Sequence, residues 1–170
     1  NALYGALGVV AAAQGTMNNF IWGNDRFQNY ETIAGGTGAG PGFQGCAAVQ
    51  SHMTNTRMTD PEILELRYPV LLERFEIRRG SGGRGRHCAG DGVLRQIRFL
   101  ERMDCALLTG SRRVRPFGIE GGEPGRCGAN SVRRNDGRIE QLQGCDETVL
   151  EPGEAIVIVT PTGGGYGRPA

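Results

Sequence analysis

The segment Ser51–Gly92 reads SHMTNTRMTDPEILELRYPVLLERFEIRRGSGGRGRHCAGDG and carries the chain's structural plan in miniature. Thr59 and Glu62 match a capping box, with Pro61 in the first turn, where its missing N–H costs nothing. The helix they start is short, because Pro69 disfavours a helical Tyr68 and ends it there. Beyond the proline, VLLERFEIRR alternates apolar and charged side chains, which is the pattern of a half-buried strand. The glycines that follow make a regular element too costly in backbone entropy, so a loop carries the chain onward.

Outward from this segment the same grammar repeats. Towards the N-terminus, Leu3, Leu7 and Val10 stand at helical spacing and predict a buried helix from Ala2 to Gln14, ending near Gly15. TMNNFIWGN and FQNYETI then read as two short strands around Gly23-Asn24-Asp25. Ala34–Gly45, AGGTGAGPGFQG, is a loop that either winds over the surface or lets its backbone approach another group closely. Towards the C-terminus, GVLRQIRFLERM and DCALLTG are strand candidates. Asn135-Asp136-Gly137 between SVRR and RIEQL is a hairpin turn. Pro152-Gly153 turns the chain into AIVIVT, whose unbroken apolar run reads as a central strand. The sum is a β-rich α+β fold over a single domain, residues 1–170, with one N-terminal helix and one short helix near residues 61–68.

A chain of 170 residues suffices for one domain with a real core. It opens on Asn1 without a targeting leader and reads as part of a longer protein. No run approaches the roughly 18 apolar residues of a membrane span, which predicts a soluble, cytoplasmic protein. The net charge is +1, and every basic residue is arginine. Such balance argues against nucleic acid as a partner. The lack of lysine excludes a Walker-type phosphate loop and Schiff-base chemistry within this segment. Five cysteines without a C-x-x-C pair fit neither a zinc ribbon nor a disulfide framework and read as reduced thiols.

Gly80-Ser81-Gly82-Gly83-Arg84-Gly85 satisfies G-x-G-x-x-G after a predicted strand. It is followed by another turn and strand instead of the helix that must hold a pyrophosphate, so dinucleotide binding is the weaker reading. The alternative is a tight connection whose arginines pair with acids or meet an anion. His52 lies among Thr54, Asn55, Thr56 and Arg57, polar groups able to orient an imidazole or a substrate amide. On that clustered polarity His52, Thr54, Asn55 and Arg57 are the candidate catalytic residues, with Arg79 and Arg84 as anion contacts. Asp60 and Glu62 read as helix-capping groups. A second basic turn, Arg112-Arg113 with Arg115, is either a solvated loop or an anion or partner contact. No complete metal site is visible, since the one other histidine, His87, stands at no ligand spacing from His52.

Taken together, HMTNTRMTDPEILELRYPVLLERFEIRRGSGGRGRHCAGDGV, YETIAGGTGAGPGFQG before it, and PFGIEGGEPG and TPTGGGYG after it resemble the C-terminal part of the hydantoinase B and 5-oxoprolinase family. QGTMNNF fits as well, and the wording around YETIAGG and HMTNTR is closest to the 5-oxoprolinase branch. The resemblance implies ATP-dependent opening of a cyclic amide such as 5-oxoproline or a hydantoin. A hydantoinase A-like partner module binds ATP and Mg and phosphorylates the amide oxygen; the hydantoinase B module then handles the activated intermediate. A divalent metal would sit in an upstream part of that module, not in this segment, and the assembly would be oligomeric. Two other readings stay open: a subunit of an ATP-dependent ketone carboxylase, and a non-catalytic scaffold whose basic loops hold the nucleotide-binding partner. The chain departs from the family wording at HCAGDG, where RGGDG is usual, and at TPTGGGYG, where TPGGGGYG is usual.

Overall fold

Two antiparallel sheets packed face to face account for the strand-rich sequence. The computed structural model describes residues 1–15, 17–52 and 54–169. In chain order its elements are α1 (Ala2–Ala6), β1 (Asn18–Gly23), β2 (Gln28–Thr32), α2 (Pro61–Arg67), β3 (Val70–Ile77) and β4 (Val93–Phe99). They continue with β5 (Met103–Thr109), β6 (Ala129–Arg133), β7 (Ile139–Leu142), β8 (Cys145–Leu150) and β9 (Ala155–Val159). One sheet has the order β2-β1-β5-β8, the other β3-β4-β9-β6-β7. As AIVIVT implied, β9 is the central strand of its sheet, flanked by β4 and β6. The β6–β7 hairpin turns at Gly137, whose φ of 84° is the left-handed angle that such a turn demands. The expected β1–β2 hairpin forms too, its turn closed by Asn24 Oδ1, which accepts from the Arg26 and Phe27 N–H groups at 2.9 and 3.0 Å.

The core lies between the sheets. Phe20, Trp22, Cys105 and Leu107 from the first meet Ile97, Phe99, Ile156 and Ile158 from the second, and Leu64 of α2 closes one side. Phe99 receives Phe20 and Trp22 edge-on at centroid distances of 6.4 and 5.3 Å. Each such buried side chain stabilises the fold by about 1.5–3 kcal/mol. One arginine lies among this apolar material. Arg95 of β4 reaches across to Glu31 of β2, donating from Nε and Nη2 to the two carboxylate oxygens at 2.9 Å each. Their side chains are 1% and 5% exposed.

Two local expectations are corrected, and one strand was not foreseen. The N-terminal helix is present but stops at Ala6, and none of its residues is buried; Gly8, at φ 67°, turns the chain out of the helix. Ala11–Ala13 are buried instead in extended backbone, where Ala11 N–H donates to Ala39 O and Ala12 N–H to Phe117 O, both at 2.9 Å. Gly38 lets the two backbones approach, since a Cβ there would overlap the Ala11 carbonyl. For α2, the N-cap is Asp60 and not Thr59: the Asp60 carboxylate accepts from Glu62 N–H at 3.0 Å, one residue tighter than the capping box. Pro61 opens the helix, and Tyr68 is extended before Pro69, as expected. Strand β8 had no expectation behind it, since CDETVL lacks the apolar alternation that marks a strand.

The glycine loops resolve as a plait in which segments from residues 34–45, 80–92, 117–125 and 160–167 stack backbone on backbone. Gly163 N–H donates to Gly90 O at 3.1 Å and Gly90 N–H to Thr37 O at 2.9 Å. A Cβ on Gly36 would overlap the Gly90 carbonyl, and one on Gly163 the Thr37 carbonyl. Thr162, the departure from the family wording, is fully buried here: its hydroxyl donates to Ser81 O at 3.0 Å and accepts from Arg126 N–H at 2.7 Å.

Candidate functional site

Residues 54–60 lie outside any helix or strand, and the side chains of His52, Asn55 and Arg57 are exposed. His52 has a φ of 58°, a conformation that costs a side-chain-bearing residue energy and that recurs at functional sites. Its Nδ1 lies 3.1 Å from Ser51 Oγ, and its ring stands 5.8 Å from that of Tyr4 on α1. The tautomer donating from Nδ1 leaves Nε2 as a lone-pair acceptor. Partial desolvation of the otherwise exposed ring holds the imidazole below its ordinary value, so it is neutral near pH 7. Thr54 is half-buried, its N–H donating to Ser51 O at 3.2 Å. Among the described residues no hydrogen bond or ion pair occupies the side chains of Asn55 and Arg57.

Arg79 and Arg84 are exposed on the glycine loop, their side chains unpaired among the described residues. The loop amides beneath them are taken. Asp91 Oδ1 accepts from Ser81 N–H and Gly82 N–H at 2.7 Å each, and Oδ2 accepts from Gly80 N–H at 3.0 Å. This concavity of N–H groups is an anion nest already filled by the protein's own carboxylate, so the G-x-G-x-x-G stretch does not fit a nucleotide phosphate. No side-chain contact among the described residues joins Arg79 or Arg84 to the His52 loop. Nor do three or more His, Cys, Asp or Glu side chains gather anywhere among them to hold a metal.

Two clefts of opposite charge run along β5 and β8. The larger, 940 Å³, crosses the outer face of the four-stranded sheet over Tyr30, Ile21 and Ala106 and carries Asp25, Asp104 and Glu147 without a cation. The smaller, 540 Å³, lies at the far end of the same strands and gathers Arg112, Arg113 and Arg115 without a carboxylate. Burial pushes the Arg112 guanidinium down to about 10. Sequence reading singled out the Arg112 turn but not its partners Asn18 and Asn130, which start or line strands far away in the chain. The available signal was an asparagine at an inward position of an otherwise apolar alternation.

Comparison with known proteins places this architecture. The 5-oxoprolinase of Dictyostelium discoideum is 47% identical over 168 residues, which is 99% of this chain and 13% of that protein. The ATP-dependent caprolactamase of Pseudomonas jessenii superposes with a TM-score of 0.75 at 27% identity, over 98% of this chain and 32% of that one. An acetone carboxylase superposes with a TM-score of 0.74 at 16% identity over 91% of this chain and 26% of the other, a likeness of fold alone. The chain thus spans a small fraction of the relatives it matches. The Hydantoinase B/oxoprolinase family matches residues 1–169, and the chain belongs to that family.

Proposed function

We propose that this chain is the C-terminal portion of a hydantoinase B-like module in an ATP-dependent cyclic-amide hydrolase, with 5-oxoproline preferred over hydantoins as substrate. The observation that carries this reading is the 47% identity to a 5-oxoprolinase across nearly the whole chain. In this reading a hydantoinase A-like module binds ATP and Mg and phosphorylates the amide oxygen, and a divalent metal, if one is used, lies in another part of the B module. Five free thiols suit a reducing, cytoplasmic setting, and among the described residues no helix is long and apolar enough to cross a membrane. The working assembly is oligomeric.

Within that reaction His52 is the residue of this chain best suited to proton transfer. A neutral imidazole with an open Nε2 accepts the proton of the water that attacks the activated ring carbon. Thr54, Asn55 and Arg57 line the same loop as groups that orient the ring amide, and Arg79 and Arg84 offer cations to an anionic substrate group. The His52→Ala variant of the full-length protein is the test. A general base contributes about 10²–10⁴-fold, so 5-oxoproline opening should drop by that order while substrate-dependent ATP cleavage persists; near-normal turnover removes His52 from the mechanism. The pH profile supplies a second readout. Because the folded imidazole titrates below 6.5, the acid limb of kcat/KM should lie below that pH and vanish in the variant. Assays with 5-oxoproline, hydantoins, and acetone plus bicarbonate identify the substrate class, and carboxylation of acetone would overturn the hydrolase reading.

A further inference from the structure

The basic cleft has a feature that the His52 proposal does not use. Arg112 donates only to neutral acceptors: Nη1 to Asn18 Oδ1 and to Gly110 O, both at 2.7 Å, and Nε and Nη2 to Asn130 Oδ1 at 3.2 and 2.8 Å. Both asparagines are buried and held by their other ends. Asn130 Nδ2 donates to Thr109 Oγ1 at 2.9 Å and Gln143 O at 3.1 Å; Asn18 Nδ2 donates to Ile33 O at 3.0 Å and to Gln14 Oε1. Each amide therefore presents its oxygen to the guanidinium and has no freedom to turn. The arginine is positioned as firmly as Arg95, yet among the described residues no carboxylate neutralises it.

The neighbouring arginines add charge without cancelling it. Arg115 is anchored through Nε to Gly125 O at 2.7 Å and through Nη2 to Pro124 O at 3.2 Å, which leaves Nη1 unspent. Arg113 is exposed and makes no hydrogen bond or ion pair among the described residues. All three line the cleft together with Gln143 and Cys145, and no Asp or Glu does. Two backbone-anchored or amide-anchored guanidinium groups and one free one, lining one cleft without an Asp or Glu, form a pre-organised receptor for a compact oxyanion. Arg79 and Arg84 lack this character, for nothing fixes their side chains.

We propose that the cleft formed by Arg112, Arg113 and Arg115 binds a phosphate-type dianion. Two sources share that chemistry: free inorganic phosphate, and the phosphoryl group of an activated reaction intermediate. The binding site does not depend on the assignment of His52 or of the substrate, so either can fail alone.

Cys145 lines the cleft and is exposed, which makes it a local reporter, while exposed Cys46 and Cys88 serve as controls outside the cleft. Full-length protein is alkylated with iodoacetamide at increasing inorganic phosphate and constant ionic strength, and each thiol is followed by mass spectrometry. Phosphate should slow Cys145 saturably, by about tenfold at ten times its Kd, and leave Cys46 and Cys88 unchanged. Arg113→Ala, a surface change, should raise the phosphate needed by about tenfold or more, the cost of one charge-assisted contact. A turnover arm separates the sources: if the phosphoryl group of an intermediate is the ligand, Arg113→Ala lowers kcat for ring opening as well, and if only free phosphate binds, it relieves product inhibition and leaves kcat unchanged. Equal protection of all three thiols, unaltered protection in Arg113→Ala, or a Cys145 that never reacts overturns the proposal. Loss of the nucleotide-binding partner on purification of Arg113→Ala, with phosphate protection unchanged, overturns it in favour of a docking surface.

Discussion

Arg95 and Arg112 both bring a guanidinium group between the two sheets, yet they are satisfied in opposite ways. Arg95 meets the Glu31 carboxylate in a two-pronged ion pair sealed from water, with its Cζ 5.1 Å from the centre of the Phe75 ring. Arg112 meets two asparagine oxygens and a backbone carbonyl. Desolvating a cation is costly, and a carboxylate offsets that cost with full charge whereas amide dipoles offset only part of it. The first arrangement is complete in itself and serves the fold. The second retains net positive potential at the mouth of a cleft, which is what a site for an anion requires.

The sharpest challenge to this contrast is Glu31→Ala, which leaves Arg95 charged and unpaired in the core. Chemical denaturation should show a loss of about 3–5 kcal/mol; a loss below about 1 kcal/mol would mean that Arg95 reaches water and the two arginines are alike. Arg112→Ala should cost less, about 1–3 kcal/mol, because it abandons neutral oxygens rather than a buried charge. If its cost equals that of Glu31→Ala, Arg112 is as structural as Arg95.

Acid sharpens the same comparison through a second compensated arginine. Arg134 donates from Nη1 to Glu154 Oε2 at 2.7 Å and to Val149 O at 2.7 Å, tying β6 to β8. Burial alone would raise the Glu154 carboxyl, but the Glu151 N–H and the Arg134 guanidinium outweigh it and hold the group below its ordinary 4.5. A depressed carboxylate contributes stability that is present above the unfolded value and lost as pH falls through the folded one. Melting temperature should therefore decline as pH drops below about 4.5, and less steeply in Arg134→Met; an unchanged slope would remove the pair from the acid response. The smallest effect belongs to Arg26, which meets Glu101 at 3.0 Å with the arginine largely in solvent and the glutamate half-exposed. Arg26→Gln should shift stability by less than about 1 kcal/mol, and a larger shift would show that exposure is not what separates these arginines.

Local patterns made much of the fold legible. The alternation in VLLERFEIRR, the continuous apolar run of AIVIVT, the Asn-Asp-Gly turn and the Pro61/Pro69 brackets of α2 each act over a few residues, so each could be read without the rest of the chain. The N-terminal helix was overextended because helical spacing over Leu3, Leu7 and Val10 ignores what surrounds Ala11–Ala13. Those alanines take their hydrogen bonds from Ala39 and Phe117, partners far along the chain. CDETVL was missed for the same reason, since its pairing with β5 supplies what its own pattern lacks. At the candidate site, His52 was visible as a polar cluster, but its left-handed backbone was not. The missing helix already made the glycine loop a poor dinucleotide cradle, but its local wording did not show that Asp91 fills the amides of residues 80–82.

By itself the sequence determined the strand-rich class, the turns, the short capped helix, the family wording and the presence of three arginines in one turn, because these are properties of neighbouring residues. Only the tertiary structure decided which charges are cancelled. Glu31 lies 64 positions from Arg95, and Asn18 94 from Arg112; whether a guanidinium finds a carboxylate or an amide depends on how two sheets are laid over each other. That placement, set by packing between distant strands, makes the buried Arg95 a brace and leaves the half-buried Arg112 uncancelled beside a cleft.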